Sequence, residues 1–162
     1  LSALLLLLIS VSAQDKSSDY IDENDTLELY GDNFSGLKLL DSVAPSYKVF
    51  ISGENHTYTE SNARLWLKMI KYLHKTAGVR NVIFEYGYSY GWLVNEYLQT
   101  GDTALYNSIK HIAYIEYSNA IKELYEFNQT LDSNERIYMC AIDIERGVYP
   151  IAKMLQHLLP EE

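Results

Sequence analysis

The sequence predicts an α/β fold, in which a mostly parallel β-sheet is flanked by helices. Three apolar runs indicate strands, at residues 47–51, 79–85 and 136–144. Each run is continuous and rich in β-branched or aromatic residues, as in strands that are buried on both faces of a sheet. Helical patterns separate the runs. The resulting order, β-α-β-α-α-β-α, favours right-handed crossovers between parallel strands.

The helices are predicted from apolar residues at helical spacing and from the residues that start or stop a helix. The clearest helix covers 58–77, where Thr57 and Glu60 fit a capping box and Gly78 provides the stop. Further helical patterns lie at 33–41, 90–99, 103–131 (with a break near 111–114) and 150–159.

The N-terminal residues are typical of an export signal. Residues 3–11 form an apolar run, and residues 11–13 (Val-Ser-Ala) fit the small-residue pattern of a cleavage site. The run is too short for a stable membrane span. We therefore expect 1–13 to be a signal peptide and the mature chain to be periplasmic or secreted, with no membrane span. Because neither a methionine nor a basic region precedes the run, we expect the signal peptide to be clipped at its start.

The charge distribution separates an N-terminal segment from the domain. The formal net charge is −9, and residues 15–41 contain eight acids against two lysines. We expect 14–32 to be a flexible acidic lead-in and 33–162 to be an α/β domain that is truncated at its C-terminus, since the sequence stops just after an amphipathic helix. A net negative charge disfavours nucleic acid and anionic lipid as partners.

Cys140 is the only cysteine of the chain. A single cysteine excludes an internal disulfide and a cysteine-based structural zinc site. Its position inside the third predicted strand indicates a small, buried apolar side chain.

An acid lies at or just past the carboxyl end of each predicted strand. These acids are Glu54, Glu85 and Asp143, and His56 follows Glu54 in the first turn. Parallel strands end at one edge of a sheet, so we expect the four side chains to converge on one crevice. An imidazole held by a carboxylate is a competent general base. The structural alternatives stay open: Glu54 as a helix cap, His56 as a turn residue, and the other two acids as acceptors from loop amides.

Glu60 and Arg64 are four residues apart on the first turns of the 58–77 helix and can form an ion pair. In the structural alternative, Glu60 completes the capping box and Arg64 is its solvated partner. In the functional alternative, Arg64 extends over the sheet edge, where it orients a carboxylate or binds an oxyanion.

Four blocks of the sequence form a recognisable series. In order they are Gly53-Glu54-Asn55-His56, then Glu60 and Arg64, then Phe84-Glu85-Tyr86-Gly87, then Ala141-Ile142-Asp143-Ile144. This series resembles the erythromycin esterase family, which groups with the haem-binding ChaN and the Tiki/TraB proteins, and the resemblance extends from about residue 34 to the end of the chain. It implies a hydrolase that needs no metal or cofactor and acts on a small-molecule ester or lactone.

The resemblance also implies roles for individual residues. His56 would activate water against the carbonyl carbon, while Glu54 and Glu85 would orient the histidine or the water. The supporting residues would be Arg64, Asp143 and Glu60.

One departure from the family pattern leads to an alternative function. A single residue separates Glu54 from His56, where the esterases have two, and this spacing is similar to that of the ChaN proteins. The similarity implies haem or iron binding at the same edge, with His56 or a tyrosine of the turn 86–90 as ligand. A metal-dependent hydrolase built on His56 and the acids is the other alternative.

Overall fold

The computed structural model describes residues 27–53 and 57–159, and it combines helices and strands as the sequence predicts. Two short 3-10 helices, Ser35–Leu40 and Ala44–Ser46, come first. The order of the elements that follow is α1 Thr59–Ala77, β1 Asn81–Gly87, α2 Tyr88–Thr100, α3 Thr103–Ile112, α4 Ile115–Gln129, β2 Tyr138–Asp143 and α5 Val148–Leu158.

Strands β1 and β2 form a parallel sheet that is flanked by helices, so the predicted α/β class is confirmed. Their pairing runs from Asn81 opposite Tyr138 to Phe84 opposite Ala141, and the register is irregular beyond Phe84. Three helices, α2 to α4, connect the two strands. A connection of this length is what two parallel strands require, because the chain must return to the starting end of the sheet.

The predicted first strand, 47–51, is wrong, because this segment pairs with no strand in the described part of the chain. Val49 is 74% exposed and Ile51 94% exposed, while Phe50 packs against a small apolar cluster that includes Leu73 and Val79. β-Branched and aromatic residues favour an extended backbone, but a strand also needs a partner for its ladder of hydrogen bonds. The composition of 47–51 favours an extended backbone, but it does not provide a neighbouring strand.

The core lies on one face of the sheet, between the strands and α1 to α4. Leu93, Val94 and Leu98 of α2 are fully buried there. Helix α2 lies so close to β2 that a Cβ atom on Gly91 would be 2.6 Å from the Cβ atom of Ala141. The strand side chains on this face are those of Val82, Phe84, Tyr86, Met139 and Ala141.

The opposite face of the sheet is exposed in the described structure. Ile83 is 62% exposed and Ile142 is 73% exposed. The predictions that the strands are buried on both faces and that Cys140 is buried are therefore wrong, since Cys140 is also exposed. Side chains alternate between the two faces of a strand, and apolar composition does not show whether both faces are covered.

Local signals place most helix ends as predicted. Gly78 and Gly101 adopt φ angles of 68° and 72° after α1 and α2, and Asp102 caps α3 by accepting a hydrogen bond from the Ala104 amide at 2.7 Å. The start of α1 differs by one residue from the predicted N-cap. Tyr58, rather than Thr57, is the N-cap of α1, and it makes no side-chain capping bond.

Helices α1 and α4 lead into β1 and β2, and they lie side by side in the same direction. Trp66 contacts Tyr117 with ring centroids 6.3 Å apart, and His74 contacts Phe127 further along both helices at 5.6 Å. None of the described helices is long and apolar enough to cross a membrane. The proposed signal peptide, 1–13, lies outside the described residues.

Candidate functional site

Two of the catalytic residues predicted from sequence, Glu54 and His56, lie outside the described residues. The residues on either side of them, Gly53 and Thr57, are exposed, and α1 begins at Thr59. Residues 54–56 therefore precede the N-terminal end of α1 by two residues in the sequence.

The structure brings Glu85 and Asp143 together at the carboxyl ends of β1 and β2. Arg146 joins them, because its Nη2 atom lies 3.5 Å from Oε1 of Glu85 and donates a hydrogen bond to Oδ2 of Asp143. The side chains of Glu85 and Arg146 are 79% and 68% exposed, whereas that of Asp143 is 21% exposed. This strand-end cluster is accessible to a dissolved substrate on the side of Glu85.

Asp143 also has a structural role. Its Oδ1 atom accepts a hydrogen bond from the backbone amide of Ile144 at 2.8 Å, while Oδ2 accepts from Arg146. One carboxylate oxygen of Asp143 therefore accepts a hydrogen bond from a loop amide, as in the structural alternative from the sequence. The other oxygen contributes to the strand-end cluster.

Sequence reasoning missed Arg146 and Glu145, which follow β2. The two carboxylate oxygens of Glu145 accept hydrogen bonds from the amide and the hydroxyl of Ser89, at 2.6 and 2.7 Å. Ser89 lies in the first turn of α2 and is fully buried. A carboxylate is favoured at a helix N-terminus, where amides are free and the helix dipole is positive. Gly87 and Ser89 in the predicted turn after β1 are the sequence signal that could have indicated a hydrogen-bonding partner at the start of α2.

Gly87 makes the contact between Glu145 and Ser89 possible. A Cβ atom at this position would lie 2.5 Å from Oε2 and 3.2 Å from Cα of Glu145. The absence of a side chain thus allows the loop after β2 to reach the start of α2. This contact holds Asp143 and Arg146 beside the end of β1.

Arg64 and Glu60 lie in a different environment. The guanidinium of Arg64 donates to Glu123 of α4, lies 3.6 Å from Glu60, and stacks 4.8 Å above the ring of Tyr30. The hydrogen bond to Glu123 raises the pKa of Arg64. Tyr30 donates to Glu60 at 2.6 Å, and this bond raises the pKa of the phenol. In the described structure none of the contacts of Arg64 reaches Glu85.

The tyrosines of the turn 86–90 differ in their suitability as iron ligands. Tyr90 is 2% exposed, and burial raises the pKa of its phenol. A metal binds the deprotonated form of its ligand, so burial opposes coordination by Tyr90. Tyr88 is 59% exposed. Over residues 27–53 and 57–159, no group of three or more His, Cys, Asp or Glu side chains is placed to hold a metal ion.

Comparison with protein-family models, curated proteins and solved structures gives no match. The function of the chain is therefore inferred from its own residues and their arrangement.

Proposed function

We propose that this chain is an exported, erythromycin esterase-like hydrolase, in which His56 is the general base that activates water against an ester or lactone carbonyl. The observation that supports the proposal is the convergence of Glu85 and Asp143 at the carboxyl ends of adjacent parallel strands, with Arg146 between them. In open α/β sheets this edge is where ligands bind.

The dimensions of the elements are compatible with the start of α1 near this edge, and His56 precedes Thr59 by three positions in the sequence. Helix α1 has 19 residues and a length of about 28 Å, while β1 has seven residues and a length of about 23 Å. The helix ends next to the first residue of β1. A helix that returns along its strand brings its own start, at Thr59, to the level of the strand's carboxyl end.

The proposed chemistry assigns a separate task to each residue. His56 takes a proton from water as the water oxygen attacks the carbonyl carbon, and it later gives the proton to the departing alkoxide. Glu85 and Glu54 orient the imidazole or the water. Arg146 carries the positive charge at the cluster and stabilises the oxyanion that forms on the carbonyl oxygen. Arg64, Asp143 and Glu60 support the arrangement.

The proposal is tested by measuring hydrolysis of a panel of esters and lactones in the presence of a chelator. We expect His56→Ala to lower kcat by about 100-fold or more, because a general base contributes at least that factor. Glu85→Gln should lower kcat with a smaller effect on KM. His157→Ala, which removes an exposed histidine from the last turn of α5, is the matched control and should retain activity.

Two results would contradict the proposal. Equal activity of wild type and His56→Ala would show that the histidine is not the base. Loss of activity on chelation would instead support the metal-dependent alternative. If the wild type hydrolyses none of the panel, the binding alternative is tested by titrating both the wild type and Tyr88→Phe with haem. Tyr88 is chosen because it is the exposed tyrosine of the turn.

A further inference from the structure

A second surface lies at the other end of the sheet, in an open groove of about 880 Å³ between α1 and α4. Gly78 and Arg80, which precede β1, and Glu135, which precedes β2, line it. We call it the amino-end groove, because it adjoins the amino ends of both strands. Its volume is within the range of about 300–1,000 Å³ that is typical of small-molecule sites.

The two sides of the amino-end groove carry opposite charges. One side belongs to α1 and the turn after it, and the other to α4 and the segment before β2. The basic side has Lys71, Lys75 and Arg80, and the acidic side has Glu123, Glu126 and Glu135.

No ion pair joins the two sides in the described part of the chain. Lys71 pairs with Asp32 at 3.2 Å, and Glu123 pairs with Arg64 outside the groove. Lys75, Arg80 and Glu135 form no ion pair with a described residue. Arg80 donates a hydrogen bond to the carbonyl oxygen of Asn134, next to Glu135, and Nζ of Lys75 lies 4.7 Å from the ring centroid of Phe34. Glu126 pairs at 4.0 Å with Lys122 of its own helix. The charges of the two sides are thus not paired with each other, and a ligand that carries both charges can bind them.

An aromatic surface lies between the charged sides. The ring of Phe127 contacts the ring of His74 edge-on at 5.6 Å, and Nζ of Lys71 lies 5.5 Å from its centroid. His74 is held in place by a contact of 2.9 Å between its Nδ1 atom and the carbonyl oxygen of Val79. This surface can pack against an apolar group of a ligand.

The C-terminal ends of two helices adjoin the groove, that of α4 on the acidic side and that of α1 on the basic side. Helix α1 ends at Ala77 and α4 ends at Gln129. The C-terminal end of a helix carries a partial negative charge that stabilises cations nearby. An ammonium group that binds Glu126 and Glu135 on the acidic side would benefit from the dipole of α4 as well as from the two carboxylates.

We propose that the amino-end groove binds a zwitterionic ligand, namely an amino acid or short peptide with free termini and an apolar side chain. The ligand's carboxylate binds Lys75 and Arg80, its ammonium group binds Glu126 and Glu135, and its side chain packs on Phe127. A ligand with only one of the two charges leaves one side without a partner.

The test is a calorimetric titration of the full chain with the dipeptide phenylalanyl-leucine. We expect saturable binding, with the Kd raised by about 10-fold or more when the dipeptide is N-acetylated or C-amidated, because each change removes a charge-assisted contact. The absence of saturable binding would overturn the proposal. Equal binding of the acetylated dipeptide would also overturn it, since a site for anions alone would explain that result.

Variants locate the binding site. Arg80→Met and Glu126→Gln should each raise the Kd by about 10-fold or more, with circular dichroism confirming the fold. The charge-matched controls are Lys153→Met on α5 and Glu116→Gln on α4, and neither residue lines the groove. Controls that weaken binding as much as the groove variants would show a nonspecific charge effect and overturn the proposal.

Discussion

Gly87 illustrates how a single residue determines the contact between two distant segments. The carboxylate of Glu145 occupies the space where a side chain at position 87 would lie, and it binds both the amide and the hydroxyl of Ser89. Ser89 is fully buried in this arrangement, so its amide and hydroxyl depend on the carboxylate for these hydrogen bonds.

Gly87→Ala should therefore destabilise the protein by about 1–3 kcal/mol, the usual cost of overpacking. Thermal unfolding measures the effect, and Gly147→Ala is the matched control, because its Cβ atom would have no neighbour closer than 3.9 Å. In a Glu145→Ala background the same glycine substitution should cost less, since the clash is removed. An unchanged thermal unfolding midpoint in Gly87→Ala would contradict the close contact between Gly87 and Glu145.

Among the elements, the junction between α4 and β2 depends on one side chain. Asn128 is fully buried near the end of α4, and it bonds to both backbone groups of Ile137, just before β2. The Ile137 amide donates to Oδ1 of Asn128, and Nδ2 of Asn128 donates to the Ile137 carbonyl, each at 2.9 Å. The amide side chain thus pairs with the backbone as a neighbouring strand would.

Asn128→Ala should lower the free energy of unfolding by about 1–3 kcal/mol, because it leaves the buried Ile137 amide without its acceptor. Denaturant unfolding measures this loss. Asn119→Ala, at an exposed position of the same helix, makes the equivalent truncation and should change stability by less than about 0.5 kcal/mol. Equal losses in the two variants would mean that the junction does not depend on the Asn128 bonds.

For the whole molecule, tyrosine burial predicts sensitivity to alkaline pH. The chain has 15 tyrosines. Burial raises the pKa of Tyr72 and of Tyr97 from 10.0 to about 12. A phenol with a raised pKa stabilises the folded state fully below pH 10, and this contribution is lost as the pH rises from 10 through 12.

We therefore expect the free energy of unfolding to fall between pH 10 and 12, with tyrosinate absorbance rising as the protein unfolds. Tyr97→Phe should make this fall shallower, whereas Tyr114→Phe, at a position that is 66% exposed, should not. If the free energy of unfolding fell equally steeply with pH in Tyr97→Phe and in wild type, the stabilising role assigned to the Tyr97 phenol would be contradicted.

The exposed sheet face is a second property of the whole molecule. Ile83, Ile142 and Ile144 are all more than half exposed on or beside it. Contiguous apolar surface of this kind marks a place where a further surface binds in many proteins. In the described structure this face is uncovered, so the apolar strands are buried on one face only.

The amino-acid sequence by itself determined the features that depend on residues close together in the chain. Gly78, Gly101 and Asp102 set helix ends through their own backbone or the next turn. The apolar runs placed β1 and β2 to within a few residues. The meeting of Glu85 and Asp143 was also predictable, because parallel strands end at the same edge.

The tertiary structure alone decided the contacts between distant residues. Glu145 and Ser89 are 56 positions apart, and Arg64 and Glu123 are 59 apart. Nothing in the local pattern specifies such partners, so sequence reasoning missed Glu145 and did not predict the contact of Arg64 with α4. The same reason explains the segment 47–51: its residues favour an extended chain, but a strand forms only where another strand lies beside it.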